Sequence, residues 1–292
     1  RVIVLSQKNT LTKKDQKITE DIHRVKIRVI GIGGGGGNIV SGIVGKVPRV
    51  DFVVANTDLQ ALKKIGKYCR QFAFGQEQTK GLGAGGDLRL AQIAAVQAKE
   101  KIAKLFQGID FCILISCLGG GTGTGAVPIF AQAAKEQGCL TLGVFTLPFR
   151  FEGDKKMSLA RQALAKTVPL LNASVIFPNE RIFQVLDIQT GFQQALSVVN
   201  EILAEDLKNL IETLIFPGLI NIDFADLRTI LQGEGKLAYL ASASSQKDGK
   251  LETVCKNLLT HPLNEYYPAG ADCIMFNINS DKNLSLAELR YA

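Results

Sequence analysis

Two glycine-rich stretches carry the first chemistry in this 292-residue chain. Gly31-Ile32-Gly33-Gly34-Gly35-Gly36-Gly37-Asn38 follows an apolar run and opens a helical pattern. Glycines at such a junction let backbone N–H groups close on phosphate oxygens, and a helix N-terminus adds a favourable partial charge. Gly119-Gly120-Gly121-Thr122-Gly123-Thr124-Gly125 repeats the arrangement after a second apolar run, with two hydroxyls able to donate to phosphate. A dinucleotide fold needs one such loop. Two loops at the carboxyl ends of neighbouring strands suit one polyphosphate held between them. Gly31, Gly33 and Gly36 also satisfy GxGxxG, the spacing of nicotinamide oxidoreductases, but five consecutive glycines satisfy almost any glycine spacing, and that reading leaves the second loop unexplained. No GxxxxGK[ST] occurs, which excludes a P-loop enzyme.

Acidic chemistry is concentrated in Asn221-x-Asp223-x-x-Asp226. Spacing alone leaves two readings open. Asp223 caps a helix starting at Phe224 with Asp226 in its first turn, where carboxylates complement the helix dipole, or the set activates a water. The two histidines, His23 and His261, exclude HExxH zinc sites and histidine-based triads. The six cysteines form no CxxC pair and read as buried free thiols of a reducing compartment; no metal-ligating set is expected.

The elements that must hold these groups alternate. Strands are expected at Lys26–Ile32, Val50–Ala55, Phe111–Leu118, Leu140–Thr146 and Ala173–Phe177, and helices at Asn38–Val44, from Asp87 to Phe106, and at Ala126–Gln137. That alternation indicates an α/β, doubly wound, Rossmann-like parallel sheet. From Thr190 to Phe216 a helical pattern runs for about 40 Å, long enough to connect two domains. A short helix (Phe224–Leu231), a strand (Leu237–Ser242), a helix (Leu251–Thr260), a strand (Cys273–Ile278) and a last helix follow. They suggest a second, C-terminally truncated α/β domain. The expected division is 1–24 as a flexible basic tail, 25–188 as the nucleotide domain, 189–216 as the connecting helix and 217–292 as the second domain. Net charge is +7, but the first 28 residues set eight Lys/Arg against Asp15, Glu20 and Asp21, so five of the seven lie at the N-terminal end. The body is nearly neutral, so no direct nucleic-acid partner is expected. No apolar run reaches a membrane span, and no signal peptide is evident.

The GGGTGTG loop at 119–125 is the signature of the tubulin/FtsZ superfamily. VIGIGGGGGN at 29–38, NTD at 56–58, GLGAGGD at 81–87, PFRFEG at 148–153, PN at 178–179 and PGLINIDFADLRT at 217–229 resemble its FtsZ branch, the bacterial cell-division GTPases. The resemblance runs from about residue 25 to 292, with the motifs in family order.

It implies that Gly34, Gly35, Gly36, Gly37 and Asn38, with Gly120, Gly121, Thr122, Gly123 and Thr124, contact the phosphates of GTP or GDP. The 56–58 and 81–87 loops would border the γ-phosphate and Mg2+. Glu152 would bind the ribose and Asn179 would lie near sugar and base. Asn221, Asp223 and Asp226 would be catalytic, completing the site of the next subunit in a head-to-tail homopolymer, a heterologous contact that propagates as a filament. Two positions depart from the family: Lys156 replaces an arginine, and Asn200 takes the guanine-reading place usually held by Asp. The aromatic expected four residues before it is Leu196. The implied protein is a cytoplasmic GTPase of the division ring, meeting division-ring and membrane-adaptor partners through a C-terminal tail this chain lacks. The alternative is a divergent nucleotide-binding scaffold with little hydrolysis.

Overall fold

The computed structural model describes residues 25–187, 189–216, 224–244 and 251–278. The elements are β1 (Ile27–Ile32), α1 (Gly33–Ile43), β2 (Val50–Asn56), α2 (Leu59–Lys63), β3 (Arg70–Ala73), α3 (Gln76–Thr79), α4 (Leu88–Gln97), α5 (Lys99–Ala103), β4 (Phe111–Cys117), α6 (Gly121–Glu136), β5 (Leu140–Leu147), α7 (Asp154–Thr167), β6 (Ala173–Pro178), α8 (Phe192–Ile215), α9 (Phe224–Leu231), β7 (Lys236–Leu237) and α10 (Leu251–Leu259).

All strand pairings are parallel, in the order β3-β2-β1-β4-β5-β6-β7. Parallel strands need both faces covered, which is why β4 and β5 are almost wholly apolar. Alternate residues of β4 serve two cores. Phe111, Ile113 and Ile115 face α1, α8 and α9, meeting Ile39, Ile43, Leu203, Leu207 and Leu227. Cys112 and Leu114 face α4, α5 and α6, meeting Ala94, Ala95, Ile102, Val127 and Phe130. The chain therefore forms a three-layer α/β sandwich, with helices wound on both sides of one sheet.

Several expectations shift. α1 begins at Gly33 and α6 at Gly121, so each glycine loop is the first turn of its helix and not a turn before it. The helix expected from Asp87 to Phe106 breaks at Ala98 into α4 and α5, and Asp87 does cap it. α7 buries only a narrow stripe, Ala160, Ala163, Leu164 and Thr167, and no helix was expected there. α8 spans 24 residues, about 36 Å. Beyond it, the strand expected over Leu237–Ser242 is confined to β7, which pairs with the start of β6 as the seventh strand. Cys273–Ile278 has no strand partner among the described residues and is not a strand. A strand is a shared ladder, so apolar alternation alone does not make one. The expected tail over 1–24 and the last helix lie outside the described residues.

Candidate functional site

The order reverses at β1 and β4, neighbours whose helices leave on opposite faces of the sheet, and open α/β sheets bind ligands outside the carboxyl ends of the strands at such a switch point. Both glycine loops sit there. Their contact is backbone to backbone. Gly33 has φ +76°, and a Cβ on it would lie 2.9 Å from the Gly123 nitrogen; one on Gly36 would lie 2.5 Å from the Ile115 carbonyl oxygen. Above Gly34 and Gly120, by contrast, nothing comes within 4 Å of where a Cβ would be. The loops therefore lock together below and stay open above.

Four helices start along this edge, and their caps divide them. Asp58 caps α2, accepting from the Gln60 and Ala61 nitrogens, and Asp87 caps α4, accepting from Arg89 and Leu90. α1 and α6 start from Ile32 and Gly120 with no side-chain cap. The first N–H groups of a helix have no intrahelical partner. Two adjacent helix N-termini thus leave those donors free for an anion.

The rim is built from hydroxyls and carboxylates. Thr122 Oγ1 lies 2.7 Å from Thr57 Oγ1, and Thr124 Oγ1 accepts from the Gly119 nitrogen. Both threonines are buried; the Thr124 oxygen closes the second loop on itself, while the Thr122 hydroxyl ties that loop to the turn after β2. Asp58 and Asp87 each spend Oδ1 on capping, which leaves Oδ2 of each uncommitted. Among the described residues there is no cluster of three or more His, Cys, Asp or Glu side chains. That donor set suits Mg2+ held largely by phosphate oxygens and water, with a carboxylate oxygen at the side. Cys117 lies beside Gly35, where a Cβ would meet its Sγ at 2.5 Å. Burial raises the Cys117 thiol above its ordinary value, against a lowering hydrogen bond to Thr146, so it is a neutral wall and not a nucleophile.

Glu152 Oε1 accepts from the Phe149 nitrogen, while Oε2 pairs with Lys156 at 3.1 Å. Asn179 is buried with Oδ1 lacking any partner, as does Ser116 Oγ behind Gly123. A buried acceptor without a donor is costly unless a ligand supplies one. Asn38, Leu196 and Asn200 line one cleft of about 1010 Å³ between α1 and α8. Phe192, one turn before Leu196, joins Phe149, Phe151 and Phe183 in a cluster with ring centroids 5.0 to 5.7 Å apart. The sequence reading passed over these rings; the i, i+4, i+8 stripe of Phe192, Leu196 and Asn200 was the available signal.

Asp226 is separated from this edge by the length of a strand. It lies in the first turn of α9, whose Phe224 packs on Phe111, the first residue of β4, at 6.4 Å between ring centroids. The glycine loop follows the other end of β4, about 20 Å away. Asn221 and Asp223 lie outside the described residues.

The family model of the Tubulin/FtsZ GTPase domain matches residues 26–187. Curated cell division proteins FtsZ of Pseudomonas putida and Coxiella burnetii are each 37% identical, over 264 and 265 residues; both matches cover 90% of this chain, and 66% and 68% of those proteins. An FtsZ dimer of M. jannaschii superposes with a TM-score of 0.75 at 32% identity, over 82% of this chain and 69% of that one. CetZ2 of Haloferax volcanii, a GTPγS-bound protofilament, shares the fold at TM-score 0.62 and 20% identity, over 73% and 64%. With the family model over more than half of its length and relatives 37% identical over 90% of it, the chain belongs to the Tubulin/FtsZ family.

Proposed function

We propose that the protein is a self-assembling GTPase that polymerises head to tail into protofilaments and serves the cytokinetic ring of a dividing cell. The observation that carries this reading is the separation of two half-sites. The free amides of α1 and α6 sit at the carboxyl edge of the sheet, while Asp226 sits at the amino edge of the same sheet, about 20 Å away along β4. A carboxylate at that distance cannot act on a nucleotide bound by its own chain. Stacked on the next subunit, it would.

In this reading the amides of Gly34–Gly37 and Gly121–Gly123 hold the phosphates of GTP, and Thr122 adds a hydroxyl. The unpaired Asn179 Oδ1 accepts from the sugar or base, Glu152 from the ribose, and Lys156 keeps the Glu152 carboxylate in place. Asn200 and Asn38 read the base edge within the α1–α8 cleft. Asp58 or Asp87 Oδ2 would hold Mg2+, which when bound would neutralise charge on the transferring group. Asn221, Asp223 and Asp226 of the adjoining subunit orient the attacking water and accept its proton, while the fixed glycine dipoles stabilise the departing charge. The FtsZ dimer among the structural relatives supports self-association, and the curated relatives' role in cell division supports the setting: the cytoplasm at the division site, with division-ring and membrane-adaptor partners.

Phosphate release from GTP, measured against protein concentration, tests the shared site. Turnover per subunit is expected to rise steeply with concentration and then level off. A rate per subunit independent of concentration overturns it, and filaments that bind GTP without releasing phosphate favour the scaffold reading.

A further inference from the structure

A buried hydroxyl pair ties two loops of the site together, and its proton count is informative. Thr57, in the turn between β2 and α2, is fully buried; Thr122, in the first turn of α6, is 9% exposed and follows Gly120, where a Cβ would meet nothing within 4 Å. Their oxygens are 2.7 Å apart, and either could donate. Each hydroxyl has one proton, so the pair uses one and has one left over.

The two orientations are not equivalent. If Thr122 donates to Thr57, the leftover proton is on Thr57, buried with no acceptor among the described residues. If Thr57 donates to Thr122, the leftover proton is on Thr122, beside the uncapped α6 amides. Leaving a donor buried and unmet costs more than leaving it facing a ligand, so the second orientation prevails. Thr57 is itself braced from behind by the Thr79 hydroxyl, whose single proton is shared between the Gly75 carbonyl at 2.9 Å and the Thr57 carbonyl at 3.2 Å and whose oxygen accepts from the Gly81 nitrogen at 3.3 Å.

We infer that Thr57 is a positioning residue, one that touches no ligand but fixes the Thr122 hydroxyl as a donor to a phosphate oxygen at the α6 N-terminus. This rests on the nucleotide reading above. It assigns the Asn56-Thr57-Asp58 turn a task distinct from the Asp58 cap: the hydroxyl sets a proton's direction on the neighbouring loop.

The test is GTP binding by the full chain in a double-mutant cycle. Thr57→Val keeps shape and removes the donor; GTP affinity is expected to fall about tenfold, the scale of one hydrogen bond to a charged group. Thr57→Ser restores binding to within about twofold, since it returns the hydroxyl alone. Thr122→Val loses a similar factor, and Thr57→Val adds little on top of it, because the two act through one proton. If Thr57→Val does not fold, Thr57→Ala takes its place in the cycle. Wild-type binding by the hydroxyl-free variant, failure of the serine to rescue, or losses that multiply in the double variant each overturn the inference. A wild-type chain that does not bind GTP overturns the nucleotide reading instead, so the two failures are told apart.

Discussion

The sheet with its flanking helices and the segment that follows α8 are held together by different mixtures of forces. In the first, β1, β4 and β5 bury nearly every side chain against helices on both faces, and two large apolar clusters run the width of the sheet. In the second, Leu227, Leu231, Ala238, Leu240, Leu263 and Met275 reach into one of those clusters, while the segment's own apolar cluster is four residues, Tyr239, Ala241, Val254 and Leu258. A buried polar network adds to these contacts. Asp206 of α8, 2% exposed, accepts from the Ser242 nitrogen and hydroxyl through Oδ1, and its Oδ2 lies 3.2 Å from His261 Nε2. Asn264 Nδ2 donates to the Leu240 carbonyl and approaches His261 Nδ1, while the Tyr239 hydroxyl donates to the Leu258 carbonyl and accepts from the His261 nitrogen. Apolar area gives stability in proportion to its size. A buried polar network gives one geometry instead, and fails as a unit when a member is lost.

The largest expected effect is therefore in the sheet. Phe130 is fully buried on α6 and packs against Phe72 and Phe74. Phe130→Ala should lower global stability by about 3–5 kcal/mol through lost transfer energy and the cavity left behind, read as a drop in the denaturant midpoint. A loss below about 1 kcal/mol would show that this core is not the dominant support. Asp206→Ala should cost about 2–3 kcal/mol, and in a different place. It leaves the half-buried Ser242 donors and the buried His261 without their acceptor. Amide exchange should speed up across 239–264 while β4 and β5 keep their protection. Equal loss of protection in the sheet would erase the distinction between the two regions.

The same contrast explains what was legible beforehand. Strands buried on both faces read directly from their apolar runs, and the two glycine loops stand where the sequence put them, each directly after a buried strand. What was misplaced was where the helices begin. Glycine has poor helix propensity, so the loops looked like turns ahead of Asn38 and Ala126; tertiary contact between Gly33 and Gly123, and between Gly36 and Ile115, overrides propensity there. α7 was missed because four buried positions in 14 residues make a faint stripe. Past α8 the reading weakened for a physical reason. The strands expected at 237–242 and 273–278 rested on apolar alternation; Ala238, Leu240 and Met275 are indeed buried in the sheet's apolar cluster, but the backbone there is tied by hydrogen bonds from Asp206 and Asn264, which leave no periodic trace. The catalytic role proposed for Asn221, Asp223 and Asp226 rests on the family resemblance, since spacing alone allowed Asp226 a place in a helix's first turn, where it sits.

Alkaline titration sharpens the comparison further. Burial pushes the Tyr239 hydroxyl from 10 up to about 12, with Asp206 adding to the rise. The unfolded chain gives up this proton near 10 and the folded one near 12, so the stabilisation is intact below pH 10 and is lost as pH rises from 10 through 12. The sheet has buried thiols that titrate in the same direction, Cys69 raised from 9 to about 11 and Cys112 well above its ordinary value, so its own alkaline loss starts from pH 9. Exchange across 239–264 should gain an added rise between pH 10 and 12, and Tyr239→Phe should remove that added rise while the loss in the sheet stays. A window unchanged in the phenylalanine variant would assign the effect elsewhere.

The smallest effect leaves stability untouched and reads the two regions through their thiols. All six cysteines are free. Cys69, Cys112 and Cys139 are buried in the sheet unit, and burial raises Cys69 to about 11 and Cys112 well above its ordinary value. Past α8, Cys273 is exposed and Cys255 half-buried on α10, its thiol raised by burial to a lesser degree of enclosure. Alkylation requires the thiolate and access to it. With iodoacetamide at neutral pH, Cys273 should be modified first and Cys255 next, and the sheet cysteines only at the rate of global unfolding. Asp206→Ala is the discriminating background. If the polar network alone holds the last segment in place, Cys255 should accelerate severalfold in that variant while Cys112 stays silent. If Cys112 accelerates with it, the central helix and the sheet open together, and the two regions share one cooperative unit despite their different chemistry.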